Sequence, residues 1–74
     1  MKKYQIRLYE LRTDRDLRQI DLANVLKCSK QSYGHYENGK RSLPIDHLET
    51  LCEFYKVSAD YILGLPKGLE YPER

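Results

Sequence analysis

Apolar residues in this 74-residue chain recur three and four positions apart, and no stretch alternates cleanly with period two. That spacing marks helices with one buried face. Tyr4, Leu8 and Leu11 stand at i, i+4, i+7 and predict a first helix over about 3–14. Leu22, Val25 and Leu26 predict a second over about 19–26, with Ala23 small enough for close packing. A third, over about 30–37, begins after Ser29, a good N-cap, and turns Tyr33 and Tyr36 inward. Pro44 opens a fourth, where a missing N–H does no harm, and Leu48, Leu51, Cys52 and Tyr55 form its stripe. A short fifth is capped by Ser58, has Asp60 at its positive end and closes at Gly64. Asn38-Gly39 suits a left-handed helix end better than a hairpin, because Lys40-Arg41-Ser42 does not read as a strand.

Five short helices with tight joints predict an all-α domain over residues 1–64. Residues 65–74, with Pro66, Gly68 and Pro72, form a non-helical tail that is either loose or docks through Leu69 and Tyr71. The joint between the second and third helices is only Lys27-Cys28-Ser29, the length of the turn in a helix-turn-helix.

Composition narrows the function classes. The 41% apolar and 32% charged residues suit a folded globular chain. No apolar run approaches the ~18 residues of a membrane span and no secretory signal is visible, so a cytoplasmic location is expected. Cys28 and Cys52 each sit in an apolar pattern and are expected to be reduced thiols in the core. Neither Cys28 with His35 nor His47 with Cys52 has a zinc spacing, so no metal or cofactor is expected. No nucleophile–base pair is set up by spacing, which argues against an enzyme.

The net charge of +2 hides an asymmetry. Residues 1–41 carry ten Lys/Arg against five Asp/Glu, and residues 42–74 carry three against six. A basic half suggests a polyanionic partner.

With Tyr33 and Tyr36 inward, Lys30, Gln31, Gly34 and His35 face outward on the third helix. Gln31 can pair with adenine N6 and N7 in a major groove, while Lys30 can reach guanine acceptors or a phosphate. Gly34 costs about 1 kcal/mol relative to alanine within a helix. Its bare backbone would let the helix lie close against DNA; the alternative is that it makes room for a neighbouring helix. Ser29 with the first amides of the third helix, Gln19, Asn38, Lys40 and Arg41 are phosphate-type contacts around that face.

The stretches RQIDLANVLKCSKQSYGHYENGKR and LETLCEFYKVSADYILGL resemble the Cro/cI-type, or XRE, helix-turn-helix family over Leu17 to Gly64. The resemblance implies a compact lambda-repressor-like fold and binding of double-stranded operator DNA, commonly as a homodimer, to control transcription. Carried over, base reading falls to Lys30, Gln31, Gly34 and His35, and phosphate binding to Gln19, Ser29, Asn38, Lys40 and Arg41. The family pairs an arginine of the first helix with the glutamate before Asn-Gly, which here are Arg12 and Glu37. A dimer contact is expected C-terminal to the recognition helix, from Ile62, Leu65, Leu69 and Tyr71.

Three positions depart from the family pattern. Arg18 replaces a Ser/Thr N-cap, a loss of about 1 kcal/mol, though a nearby DNA phosphate would favour its cation. Lys27 replaces a turn glycine, and Cys28 a core valine. A protein-interaction module that keeps the fold without DNA binding is the competing reading.

Overall fold

A computed structural model of the chain describes residues 3–65. Five α-helices follow one another: α1 Lys3–Asp14, α2 Gln19–Leu26, α3 Lys30–Asn38, α4 Ile45–Tyr55 and α5 Ala59–Leu63. Helix α3 packs on α2 and α1, and α5 closes the bundle against α1 and α4. The buried faces of α1 to α4 follow the predicted spacing, except that in α2 Ala23 and not Val25 joins Leu22 and Leu26 in the core. Leu8 and Leu11 of α1, Leu22, Ala23 and Leu26 of α2, Tyr33 and Tyr36 of α3, and Leu51 and Tyr55 of α4 form the core. Tyr4, Leu48, Cys28 and Cys52 pack against it half-buried. Burial pushes both thiols up, so they stay protonated and behave as small hydrophobes.

One residue changes role. Ile62 is fully buried in the core, so it closes the monomer and is not an exposed dimer contact. The α5 helix has five residues, and its single inward position is needed to cover α1 and α4. Leu65 remains exposed. Leu69 and Tyr71, and the tail beyond Leu65, lie outside the described residues.

Helix ends show where local chemistry differs from expectation. Pro44 is the N-cap of α4 and not its first residue, with extended backbone at φ −65, ψ 151. At α2, Arg18 offers no side-chain cap. Asp21 supplies the other half of a capping box, its carboxylate accepting from the Arg18 N–H at 2.8 Å. That hydrogen bond holds the Asp21 carboxyl below its ordinary range. The cap is therefore partly restored, and the carboxylate also suits the positive end of the helix.

Gly39 and Gly64 close α3 and α5 in the left-handed conformation, as expected. Lys27 does the same for α2 at φ 57, and Lys56 and Asp16 adopt it at φ 59 and φ 55. A side chain in that region costs roughly 1–2 kcal/mol. The cations of Lys27 and Lys56 stand at helix C-termini, where positive charge is favourable.

Candidate nucleic-acid interface

The α2–turn–α3 unit is held against α1 by one bidentate ion pair. Arg12 Nε donates to Glu37 Oε2 at 2.9 Å, and Arg12 Nη2 to Glu37 Oε1 at 2.8 Å. Arg12 Nη1 also donates to the Leu17 carbonyl at 3.0 Å. The pair links residues 25 positions apart and fixes the end of α3 to the side of α1. Burial works to raise the Glu37 carboxyl, but the hydrogen bonds and charge of Arg12, together with hydrogen bonding from Tyr33 and Gln19, outweigh it and hold the group below its ordinary value. Glu37 is therefore structural, as the family pattern implies.

Two tyrosines back this strut from the core. Burial, and after it the charge of Glu37, pushes the Tyr33 phenol up. Burial pushes the Tyr55 phenol up to about 12, against the opposing charge of Arg15, whose guanidinium stands 4.9 Å from the Tyr55 ring centre.

With Tyr33 and Tyr36 buried, α3 turns Lys30 and Gln31 to solvent, while Gly34 and His35 lie half-exposed beside them. Neither Lys30 nor Gln31 makes a side-chain hydrogen bond among the described residues, so both are available to a partner. Ser29 caps α3: its Oγ accepts from the Ser32 N–H at 3.0 Å and lies 3.0 Å from the Ser32 hydroxyl. At the other end, the N–H groups of Gly39 and Arg41 both close on the His35 carbonyl, at 3.1 and 3.2 Å. This pins the exposed Lys40 and Arg41 to the end of α3. Tyr4 of α1 steadies the same loop by accepting from the Leu43 N–H at 3.4 Å. The φ of +88 at Gly39 favours glycine, and a Cβ there would stand 2.8 Å from Gln5 Nε2, so the Gln5 amide would have to shift.

Gln19 is the first residue of α2, and its side chain lies across Gly34. A Cβ on Gly34 would meet Gln19 Oε1 at 3.5 Å, an ordinary contact. Packing between α2 and α3 therefore does not by itself demand glycine there. Gln19 Nε2 reaches Glu37 Oε1 at 3.5 Å. Asn38 Oδ1 accepts from the Lys40 N–H at 3.0 Å, which leaves the amide nitrogen as a donor. Arg18 is 79% exposed in its side chain, and its 3.6 Å pairing with Asp21 leaves the cation at the surface.

The predicted base-facing group Lys30, Gln31, Gly34 and His35 is thus gathered on one helix. The predicted phosphate-type residues Gln19, Ser29, Asn38, Lys40, Arg41 and Arg18 stand at the ends of α2 and α3. Sequence reasoning missed α1. Gln5, Ile6 and Tyr9 line a hollow of about 330 Å³ together with Gln19, Gly34, Glu37 and Asn38. Ile6 and Tyr9 lie off the buried stripe of Tyr4, Leu8 and Leu11, and apolar residues off the stripe were the available signal.

Among the described residues, no group of His, Cys, Asp and Glu could hold a metal ion, and no helix is long and apolar enough to cross a membrane.

Comparison with known proteins converges on the same region. The helix-turn-helix family model HTH_3 matches residues 8–62. An uncharacterized HTH-type transcriptional regulator of Bacillus subtilis strain 168, YobD, is 44% identical over 62 residues, covering 84% of this chain and 55% of that protein. The cryptic phage CTXphi transcriptional repressor RstR of Vibrio cholerae is 35% identical over 54 residues, covering 73% of this chain and 49% of that protein. The antitoxin PezA of Streptococcus pneumoniae serotype 4 is 34% identical over 59 residues, covering 80% of this chain and 37% of that protein. The chain spans about half the length of the first of these relatives and less of the others. With α2, the three-residue turn and α3 all inside the matched span, the chain belongs to the Cro/cI-type, or XRE, helix-turn-helix family.

Proposed function

We propose that the chain is a sequence-specific double-stranded DNA-binding regulator of transcription, acting as a repressor, with α3 in the major groove. The observation that carries this reading is the outward face of α3. Lys30 and Gln31 are exposed and without side-chain hydrogen bonds among the described residues, and the Arg12–Glu37 strut holds the helix that carries them. Gln31 has the two-headed amide that matches adenine, and Lys30 suits guanine acceptors or phosphate. Lys40, Arg41 and Arg18 supply exposed cations around that face.

Two copies bind one face of the duplex, with their α3 helices in successive major grooves about 34 Å apart. Leu65 remains exposed at the end that would bring the copies together. Selection of binding sites from a random duplex pool at near-physiological salt tests the whole reading. A two-fold site with half-sites one turn apart is the expected result. A pool yielding no motif, with retention lost on raising salt, would leave only non-specific attraction to a polyanion. The fold would then be read as a protein-interaction module.

A further inference from the structure

In the hollow between α1 and α3, the α1 side chains Gln5, Ile6 and Tyr9 are the ones the family pattern leaves unassigned. On the α1 side Ile6 and the ring of Tyr9, which are 46% and 54% exposed, give the hollow an apolar surface above the buried Gln5. Its other wall carries neutral donors, the side-chain amides of Gln19 and Asn38. The backbone of Gly34 forms part of its lining and brings no side chain to fill it. No lysine or arginine lines it. The one carboxylate that does, Glu37, has both oxygens taken by Arg12. An unpaired carboxylate there would repel a phosphate; the paired one does not.

We propose that this hollow seats one deoxyribose–phosphate unit of the bound duplex. Ile6 and the Tyr9 ring lie against the sugar, and the Tyr9 hydroxyl donates to the phosphate beside the amides of Gln19 and Asn38. The inference rests on the DNA-binding reading and adds α1 to it. Three observations converge. Gln19, Gly34 and Asn38, all on the proposed DNA face, line the hollow, so it is continuous with that face. The pairing of an apolar wall with neutral donors matches a sugar next to an anion. The Tyr9 hydroxyl has no hydrogen-bond partner among the described residues, while its ring is held 5.4 Å from the Arg12 guanidinium.

Such a contact has a distinctive signature. A cation on a phosphate releases counterions and steepens the salt dependence of binding, whereas a neutral hydrogen bond does not. Tyr9→Phe keeps the ring and removes only the hydroxyl. It should weaken binding to a mixed-sequence duplex roughly five-fold, the worth of one neutral hydrogen bond. The slope of log affinity against log salt should stay as in the unsubstituted chain. Ile6→Ser, checked for an unchanged circular-dichroism spectrum, should also weaken binding with no change in slope. Unchanged affinity in both variants, beside normal binding by the unsubstituted chain, overturns the seat and leaves the DNA reading standing. An unsubstituted chain that binds no duplex even at low salt overturns the DNA reading and the seat with it.

Discussion

Replacing Gln31 with alanine removes a side chain that makes no hydrogen bond within the described protein, so the fold should not notice. On its preferred site the variant should lose about 1–3 kcal/mol and relax one base position. Equal losses on every sequence would show that Gln31 reads no base. Lys40→Ala should behave oppositely, weakening all sequences alike and flattening the salt slope by about one unit. An unchanged slope removes Lys40 from the phosphate contacts.

At Arg12 the consequence is for stability. Arg12→Met strands a nearly buried carboxylate, and loss of a partner from such a pair costs about 3 kcal/mol. The pH dependence contributed by Glu37 should also weaken. In the unsubstituted chain the folded-state value of Glu37 is depressed, so its contribution is present above the ordinary carboxylate range and is lost as pH falls through the folded value. Without Arg12, only the Tyr33 and Gln19 contacts oppose burial, so the depression of the group shrinks and with it the stability lost on the acid side. Chemical denaturation of both chains between pH 3 and pH 7 reads this directly; parallel profiles would sink the assignment. The pair was legible in the sequence only through the family pattern. No spacing rule links two charges 25 residues apart in a chain with 13 cations and 11 anions. The buried Gln5 against Gly39 had no sequence signal at all, because contact across three helices leaves no periodicity.

At the scale of the helices, periodicity revealed the first four elements, since each buries one stripe and leaves the rest wet, and cap residues revealed the fifth. What it could not reveal were the joints. Asp16 and Lys56 adopt left-handed backbone without a glycine to announce it. Ile62 could belong to the core or to an interface, because a helix of five residues offers too few positions to define a face. Lys27→Gly should stabilise the chain by about 0.5–1 kcal/mol, the relief of a left-handed side chain less the extra chain entropy of glycine. A thermal melt checks it, and a lowered midpoint would show that the lysine does more at the end of α2 than its backbone costs.

Gly34→Ala separates folding from binding on α3. Its Cβ meets only Gln19, at ordinary contact distance, so helix propensity should add up to about 1 kcal/mol to stability. Binding to a duplex should fall, because the new methyl stands in the hollow. A variant both more stable and equally tight on DNA would make the glycine incidental. Much of the proposed interface was visible beforehand on α2 and α3, where the motif is dense. The part proposed for α1 was only weakly signalled, because Ile6 and Tyr9 lie off the buried stripe but an exposed isoleucine and tyrosine are ordinary on any surface.

For the whole molecule, charge divides along the chain. The basic half builds α1 to α3, and the acidic half builds α4 and α5, with Asp46, Glu49, Glu53 and Asp60 exposed. Leu63 and Leu65 are exposed at the end of α5. If that end joins two copies, acidic groups approach one another, and added salt should strengthen self-association while it weakens DNA binding. Sedimentation at low and high salt measures the first effect, and Leu65→Glu should abolish it with little change in the melting midpoint. Self-association indifferent to both would place the contact elsewhere.

The Arg12–Glu37 strut has one more consequence. Helix α3 is positioned by Tyr33, Tyr36 and that ion pair, and its cap uses the backbone carbonyl of His35 and not the imidazole. Positions 30, 31 and 35 therefore carry almost no responsibility for the fold. If those three side chains read the bases as proposed, a lineage can rewrite them, and with them its target sequence, without passing through variants that fail to fold. Specificity and stability are then inherited on separate sets of residues.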